Sequence, residues 1–292
     1  MGGRESVLRL GSHLSVAGGL YRAVEAATEL GLASLQVFTA NQRQWNPRSP
    51  DGAGIRIFRS AVRREKLRPV VSHASYLINL ASPDEEARCR SAQAFGAELD
   101  RCKALGVSLC VVHPGAHLGS GVEEGVGRVA ATLDEVYAER PECNVRTLLE
   151  TTAGQGTSIG HRFEHLRDII AAAACRRRLG VCVDTCHVHA AGYDITTEAG
   201  YEKTVTDLVR YVGKSRIRCL HVNDSKTARG SRVDRHEHIG RGTIKTGAFR
   251  RLVNDVRFAN LPAILETPKG TNDRGVLWDR INLKKLRQLV AG

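Results

Sequence analysis

The sequence predicts an α/β fold of one domain, a (β/α)8 or TIM barrel in which eight parallel strands close inside a ring of helices. Three observations lead there. Short apolar and β-branched runs alternate with longer stretches of helical period, eight such runs can be counted, and almost all end on an imidazole or a carboxylate. Strands that read as near-continuous apolar runs need cover on their outer faces and side-chain filling within, which a helix-wrapped closed sheet supplies.

The strand runs are LRLGSH (8–13), LASLQVFT (32–39), RPVVSH (68–73), VSLCVVH (107–113), RTLLE (146–150), GVCVD (180–184), IRCLHV (217–222) and PAILE (262–266). Helical periodicity covers 19–30, 54–66, 84–105, 122–139, 161–175, 197–212, 246–256 and 278–289. Leu99, Cys102 and Leu105 keep the three-to-four spacing of a buried helix face. Ser82, then Pro83 and the acidic Asp84, Glu85 and Glu86, reads as a helix start. WNPRSPDGAG (45–54) is a Pro/Gly-rich loop rather than a domain boundary. The barrel is expected to occupy 10–292, with 1–9 an extension to which no function is assigned.

Composition narrows the class. A chain of 292 residues that is 42% hydrophobic can bury a sizeable core. No apolar run reaches the length of a membrane span, and MGGRESVLRLGSH lacks the apolar core of a secretory signal, so the expectation is a cytoplasmic monomer with no membrane partner. The cysteines at 89, 102, 110, 143, 175, 182, 186 and 219 form no CxxC pair and read as reduced thiols, mostly core filler. A formal charge of +12 suggests a polyanionic partner, although a run such as Arg176, Arg177, Arg178 is by itself more often a solvated helix end.

The predicted strands end at His13, Thr39, His73, His113, Glu150, Asp184, His221 and Glu266, and in a parallel barrel these ends converge on one face. Any one histidine among them is most simply a core residue satisfied by a hydrogen bond. Seven imidazoles and carboxylates at eight ends reverse that preference, because buried together without a cation the carboxylates would repel one another and lose their hydration. Neutral imidazole and carboxylate are the ligands expected for zinc, or for manganese or iron in a more oxygen-rich site. In GVCVDTCH, a bend after the strand can turn Asp184 and His187 into one cavity; in SRVDRH, Asp234 and His236 share one side of an extended segment. The nearby His189 and His238 read as loop residues outside the ligand set.

The set is then His73, His113, His187, His221 and His236 with Glu150, Asp184, Asp234 and Glu266, enough at about four ligands per zinc for two or three ions. Three divalent ions would leave a surplus positive charge at the barrel mouth, suited to a phosphodiester.

The motifs HASYLINLA (73–81), GVCVDTCH (180–187) and HVNDSKTARGSRVDRHEHIGRG (221–242) resemble those of endonuclease IV, the metal-dependent apurinic/apyrimidinic endonucleases of base excision repair. SHLSVAGGL (12–20), FTANQRQW (38–45), VHPGAHL (112–118), ETTAGQG (150–156) and ILETP (264–268) extend the resemblance over nearly the whole barrel. It implies three zinc ions: one held by His73, His113 and Glu150, a second bridged by Glu150 and completed by Asp184, His221 and Glu266, and a third held by His187, Asp234 and His236. It also implies hydrolysis of the phosphodiester 5′ to an abasic site in double-stranded DNA, leaving a 3′-hydroxyl and a 5′-deoxyribose phosphate. Glu150 would be catalytic, orienting the attacking water, and trimming of blocked 3′ ends would be a secondary activity. Arg43, Tyr76 and Leu77 would wedge into the lesion, with Asn41, Gln42 and Trp45 supporting that loop. Ala40 stands where some relatives carry a basic residue, Glu237 and His238 vary, and beyond Glu266 the match loosens.

Two other classes compete. A sugar isomerase or epimerase on this fold could use Glu150, Asp184, His221 and Glu266 around one or two metals, but leaves the other five groups and the basic charge without a task. A non-catalytic zinc-stabilised DNA-binding module would close its metals with protein ligands alone.

Overall fold

The computed structural model describes residues 8–291. Strands β1 (Arg9–His13), β2 (Ser34–Val37), β3 (Val70–His73), β4 (Leu109–Val112), β5 (Arg146–Glu150), β6 (Leu179–Asp184) and β7 (Ile217–His221) are followed by two-residue strands β8 (Asp224–Ser225) and β9 (His236–Glu237) and by β10 (Pro262–Leu265). The long strands close in the order β1, β10, β7, β6, β5, β4, β3, β2, every neighbour parallel, whereas β8 and β9 pair antiparallel outside the barrel. The helices are α1 (Leu20–Glu29), α2 (Gly52–Arg64), α3 (Glu85–Leu105), α4 (Val122–Ala138), α5 (Phe163–Ala172), α6 (Thr185–Ala191), α7 (Glu198–Val212), α8 (Lys245–Asn254) and α9 (Trp278–Gln288).

All eight predicted strands and all eight predicted long helices are present. Differences lie at their edges. Asp84, not Ser82, caps α3, its carboxylate accepting from the Ala87 N–H at 2.7 Å, and α2 begins inside the expected 45–54 loop because Asp51 accepts from the Gly54 N–H. The expected extension falls mostly on residues 1–7, outside the described residues, but Leu8 is buried and Arg9 already pairs with Pro262, so ordered structure starts before residue 10. Two elements have no counterpart among the predicted ones, the single-turn-plus α6 and the β8–β9 hairpin.

The core has two layers. Helix faces such as Phe95, Leu99, Cys102 and Leu105 of α3 pack on the outside of the sheet. Inside the barrel sit Val71, Val111, Leu148, Cys182, Cys219 and Ile264, a separate apolar cluster contributed by six strands. The same inward layer on β1 is Gly11, where a Cβ would collide with the Ser34 Oγ and come within 2.7 Å of the Ser34 carbonyl oxygen; only glycine fits there.

Thr39 does not reach the barrel mouth: β2 ends at Val37, and Thr39 turns outward to donate to the Glu98 carboxylate at 2.7 Å. Glu98 also accepts from Ser72 on β3 and from Arg101 at 2.6 Å, and Arg101 Nε reaches Thr39 Oγ1 at 3.0 Å. Glu98 and Arg101 are 4% and 8% exposed, so this buried pair fixes α3 to the ends of β2 and β3. Glu98→Ala should cost about 3–5 kcal/mol of unfolding free energy, since it strands a buried guanidinium. The double variant Glu98→Ala/Arg101→Leu should recover much of that loss in urea titrations.

Candidate metal centre

In a strand, residues two apart share a face. The six side chains that fill the barrel interior each stand two residues before a predicted ligand: Val71 before His73, Val111 before His113, Leu148 before Glu150, Cys182 before Asp184, Cys219 before His221, and Ile264 before Glu266. The apolar layer is therefore the floor of the site, and the next inward position on each strand is its wall.

Glu150 lies at the middle, fully buried. Its Oε2 is 3.1 Å from His73 Nε2 and 3.0 Å from His113 Nε2, and its Oε1 is 2.7 Å from His221 Nδ1 and 3.5 Å from His187 Nδ1. His221 Nδ1 also lies 3.0 Å from Glu266 Oε2 and 3.9 Å from Asp184 Oδ2. On the other side His187 Nε2 is 3.0 Å from Asp234 Oδ2, and His236 Nε2 is 3.3 Å from Asp234 Oδ1 and 3.7 Å from Asp184 Oδ2. All nine predicted ligands thus gather in one cluster around Glu150 and Asp184. Two triads, His73–His113–Glu150 and His187–Asp234–His236, each present three ligand atoms within 4.8 Å of one another.

The tautomers follow from the surroundings. Nδ1 of His73, His187 and His236 lies 2.7, 2.8 and 3.1 Å from the carbonyl oxygens of Ala74, Thr151 and Glu266, and His221 Nε2 lies 2.9 Å from the Gln36 side-chain oxygen. Those oxygens only accept, so each of these nitrogens carries the proton. The other nitrogen of each ring then aims a lone pair at carboxylate oxygens, which is repulsive unless a proton or a cation lies between. His187 Nε2 and His236 Nε2 are buried and close to Asp234 yet make no aligned hydrogen bond. The donor set fits divalent metal ions.

Electrostatics agree. Burial alone would raise the Glu150 carboxyl, but the His221 and His113 imidazoles outweigh it and hold it well below the usual range. Glu266 behaves alike beside His221 and His13. Burial would depress His187, but Asp184, Asp234 and Glu150 raise it well above its ordinary value. A proton and a divalent ion answer the same demand, so metal uptake should release protons.

The unpredicted elements position the second triad. Asp184 is the N-cap of α6, accepting the His187 N–H at 2.9 Å, so the expected bend after β6 is a helical turn that brings Asp184 and His187 together. Asp234 and His236 lie on the excursion between β7 and α8, which closes around Asp224. That buried carboxylate accepts the backbone N–H groups of Ser225, Gly240, Gly242 and Ile244 at 2.8–3.1 Å. Gly242 passes so close that a Cβ would overlap the Ser225 carbonyl oxygen. His189, expected in a loop, is instead buried within α6 with Nε2 3.1 Å from Thr243 Oγ1, while His238 stacks on Trp278 at 3.8 Å.

Gln36 and Asn223 were not singled out from sequence. Gln36 donates to Glu266 at 2.6 Å and lies 3.0 Å from His13 Nδ1; Asn223 donates to Asp184 at 2.7 Å and accepts the Glu266 N–H at 2.8 Å. A buried glutamine in an otherwise apolar strand was the available signal.

The xylose isomerase-like TIM barrel family matches residues 24–287. A Chloroflexus aurantiacus protein named "Probable endonuclease 4" is 50% identical, covering 97% of this chain and 99% of its own. The chain belongs to the endonuclease IV family. The crystal structure of endonuclease IV from Thermus thermophilus superposes with a TM-score of 0.83 at 37% identity, covering 96% of this chain and 98% of that one. A D-tagatose 3-epimerase-like protein superposes at 0.71 with 19% identity over 96% of each chain, a likeness of fold alone.

The loops that carry the family resemblance outside the metal cluster meet beside His73. Ser75 Oγ donates to the Gln42 carbonyl at 2.7 Å, joining the loop after β2 to the loop after β3. Asn41 Oδ1 accepts the Arg43 N–H, Arg90 lies over the Trp45 ring at 4.7 Å, and Leu77 is half-buried; Arg43 and Tyr76 are exposed, Tyr76 by 61%.

The loop following Glu150 is pinned by His165, whose Nδ1 accepts the Gly160 N–H at 3.2 Å. Burial, then the charges of His161 and Arg162, pushes His165 down to about 4 from 6.5. Its folded pKa is thus below the unfolded one: stability is whole above about pH 6.5 and is lost as the pH falls towards 4. Over that window the urea midpoint of His165→Gln should fall less steeply than that of the wild type.

Proposed function

We propose that this protein is a DNA-repair hydrolase that cleaves the phosphodiester 5′ to an abasic site in double-stranded DNA, leaving a 3′-hydroxyl and a 5′-deoxyribose phosphate. Trimming of blocked 3′ ends is the expected secondary activity. The observation that carries this reading is Glu150, whose two oxygens face different imidazoles on opposite sides of a cluster of nine ligand groups. Membership of the endonuclease IV family and the formal charge of +12 point the same way.

His73, His113 and Glu150 would hold one divalent ion; Glu150, Asp184, His221 and Glu266 a second; His187, Asp234 and His236 a third. Zinc is the expected metal, manganese or iron being the alternative at one or more positions. Bound there, such ions lower the pKa of water towards neutrality and neutralise charge on phosphate oxygens. Glu150 orients the water in line with phosphorus. The carbonyl-anchored rings of His73, His187 and His236 fix the ligand geometry, and Gln36 and Asn223 hold Glu266 and Asp184 in register.

An abasic site offers no base to read, but its unstacked sugar is cheap to extrude and leaves a gap in the stack. Arg43, Tyr76 and Leu77, supported by Asn41 and Gln42, would enter that gap. The protein would act as a monomer on DNA in the cytoplasm; no helix among the described residues is long and apolar enough to cross a membrane. A sugar epimerase would use only the Glu150, Asp184, His221 and Glu266 quartet and leave the second triad unexplained.

Glu150→Gln should lose incision of a duplex carrying a tetrahydrofuran abasic analogue by about a thousandfold or more while binding it nearly as well. Elemental analysis of active protein should find three divalent ions per chain; fewer than two, or ketose epimerisation in place of incision, would sink the reading. Tyr76→Ala should weaken binding of that duplex by roughly 5- to 150-fold, the equivalent of about 1–3 kcal/mol of stacking, with little effect on lesion-free DNA.

A further inference from the structure

The end of the barrel opposite the metal centre is basic and concave. Arg9, Arg59, Arg63 and Arg68 line a concavity of about 610 Å³ with Ser108 and Asn260. Arg9 opens β1 and Arg68 lies just before β3, so the concavity is four to five residues of extended chain, about 13–17 Å, from His13 and His73. Arg146, Arg177 and Arg178 line a second concavity of about 370 Å³ together with one carboxylate, Glu142, which makes no ion pair with them. The two share a wall, because the Arg146 N–H donates to the carbonyl of Ser108 at 2.8 Å.

Positive charge here is not cancelled from within. Arg9 donates to the Arg68 carbonyl at 3.1 Å, Arg59 to that of Ala104 at 3.4 Å, Arg146 to that of Arg177 at 2.9 Å and Arg178 to that of Pro141 at 2.6 Å. These acceptors are neutral. Among the described residues no carboxylate makes an ion pair with any of the seven arginines, whose charge is therefore open to an outside anion. Arg59 and Arg63 are also exposed four residues apart on α2, a like-charge spacing that costs a helix about 0.2–0.5 kcal/mol. Part of this charge answers the α2 dipole, since Arg63 and Arg64 lie in its last turn, but Arg9, Arg59, Arg68 and Arg146 lie outside that turn.

We propose that this face is a second nucleic-acid-binding surface, holding the phosphodiester backbone of a duplex segment separate from the one at the barrel mouth. Two adjoining arginine-lined hollows suit an extended polyanion better than a single compact one, and guanidinium groups match phosphate oxygens in bidentate geometry. A chain that grips DNA at both ends of its barrel can keep one segment while it releases and tests another.

The test uses a short lesion-free duplex, so it does not depend on incision. Bound duplexes per chain are counted by sedimentation at low salt for the full-length wild type and for Arg59→Glu/Arg63→Glu, with Arg59→Ser/Arg63→Ser as a second variant should the charge reversal misfold. The variant should bind one duplex fewer than the wild type, and the salt slope of log K should fall by roughly 0.9 for each phosphate no longer neutralised. Incision of a short abasic duplex should be unchanged, while the thermal midpoint should fall slightly in the Glu variant, because Arg63 also meets the α2 dipole, and less in the Ser variant. Equal numbers of bound duplexes in wild type and variant, or binding of inorganic phosphate or nucleotides at this face with no loss of duplex, would overturn the proposal.

Discussion

The two-residue period of a β-strand organises this protein. Each strand can offer the inside of a barrel only alternate side chains, and here one inward position fills the interior while the next, at the C-terminal end, carries a candidate ligand group. Val71 and His73, Leu148 and Glu150, Cys219 and His221 are the same arrangement repeated around the ring. A one-residue slip of any strand would put its ligand among the outer helices and its apolar partner with it, so packing and chemistry enforce the same register. Gly11 shows how tight that fit is.

Directly above the apolar layer, charge takes over. Carboxylates from β5 and β6, with Glu266 just past the end of β10, stand close enough to destabilise one another, and the imidazoles that face them are rotated so that carbonyl groups take the other ring nitrogen. The protein supplies the orientation and leaves the charge to be balanced by what binds. That division also explains why the oppositely signed Glu98–Arg101 pair lies outside the barrel wall, where it secures α3 without competing for the ligands.

Most of this was legible in the sequence, because apolar runs that end on His, Asp or Glu state both the element and the face on which its last side chain gathers. What escaped has physical reasons. The run LASLQVFT continues apolar to Phe38 and so points to Thr39 as the strand end, whereas β2 stops at Val37 and its inward residue is Gln36, in step with Ser34. The α6 segment TCHVHAA is too short to show a period and is started by an aspartate already claimed as a ligand. The paired strands of two residues in β8 and β9 carry no alternation, and the grip of Asp224 on four N–H groups joins positions as much as twenty residues apart.

That grip has a kinetic meaning. The excursion bearing Asp234 and His236 is organised by an internal carboxylate and by backbone, so its shape does not wait for ions to impose it. On the proposed reading, an ion held by His187, Asp234 and His236 would enter a preassembled cage, unlike those of small zinc domains that must fold as they bind. Such a protein would lose and regain an ion without unravelling the segment that holds it.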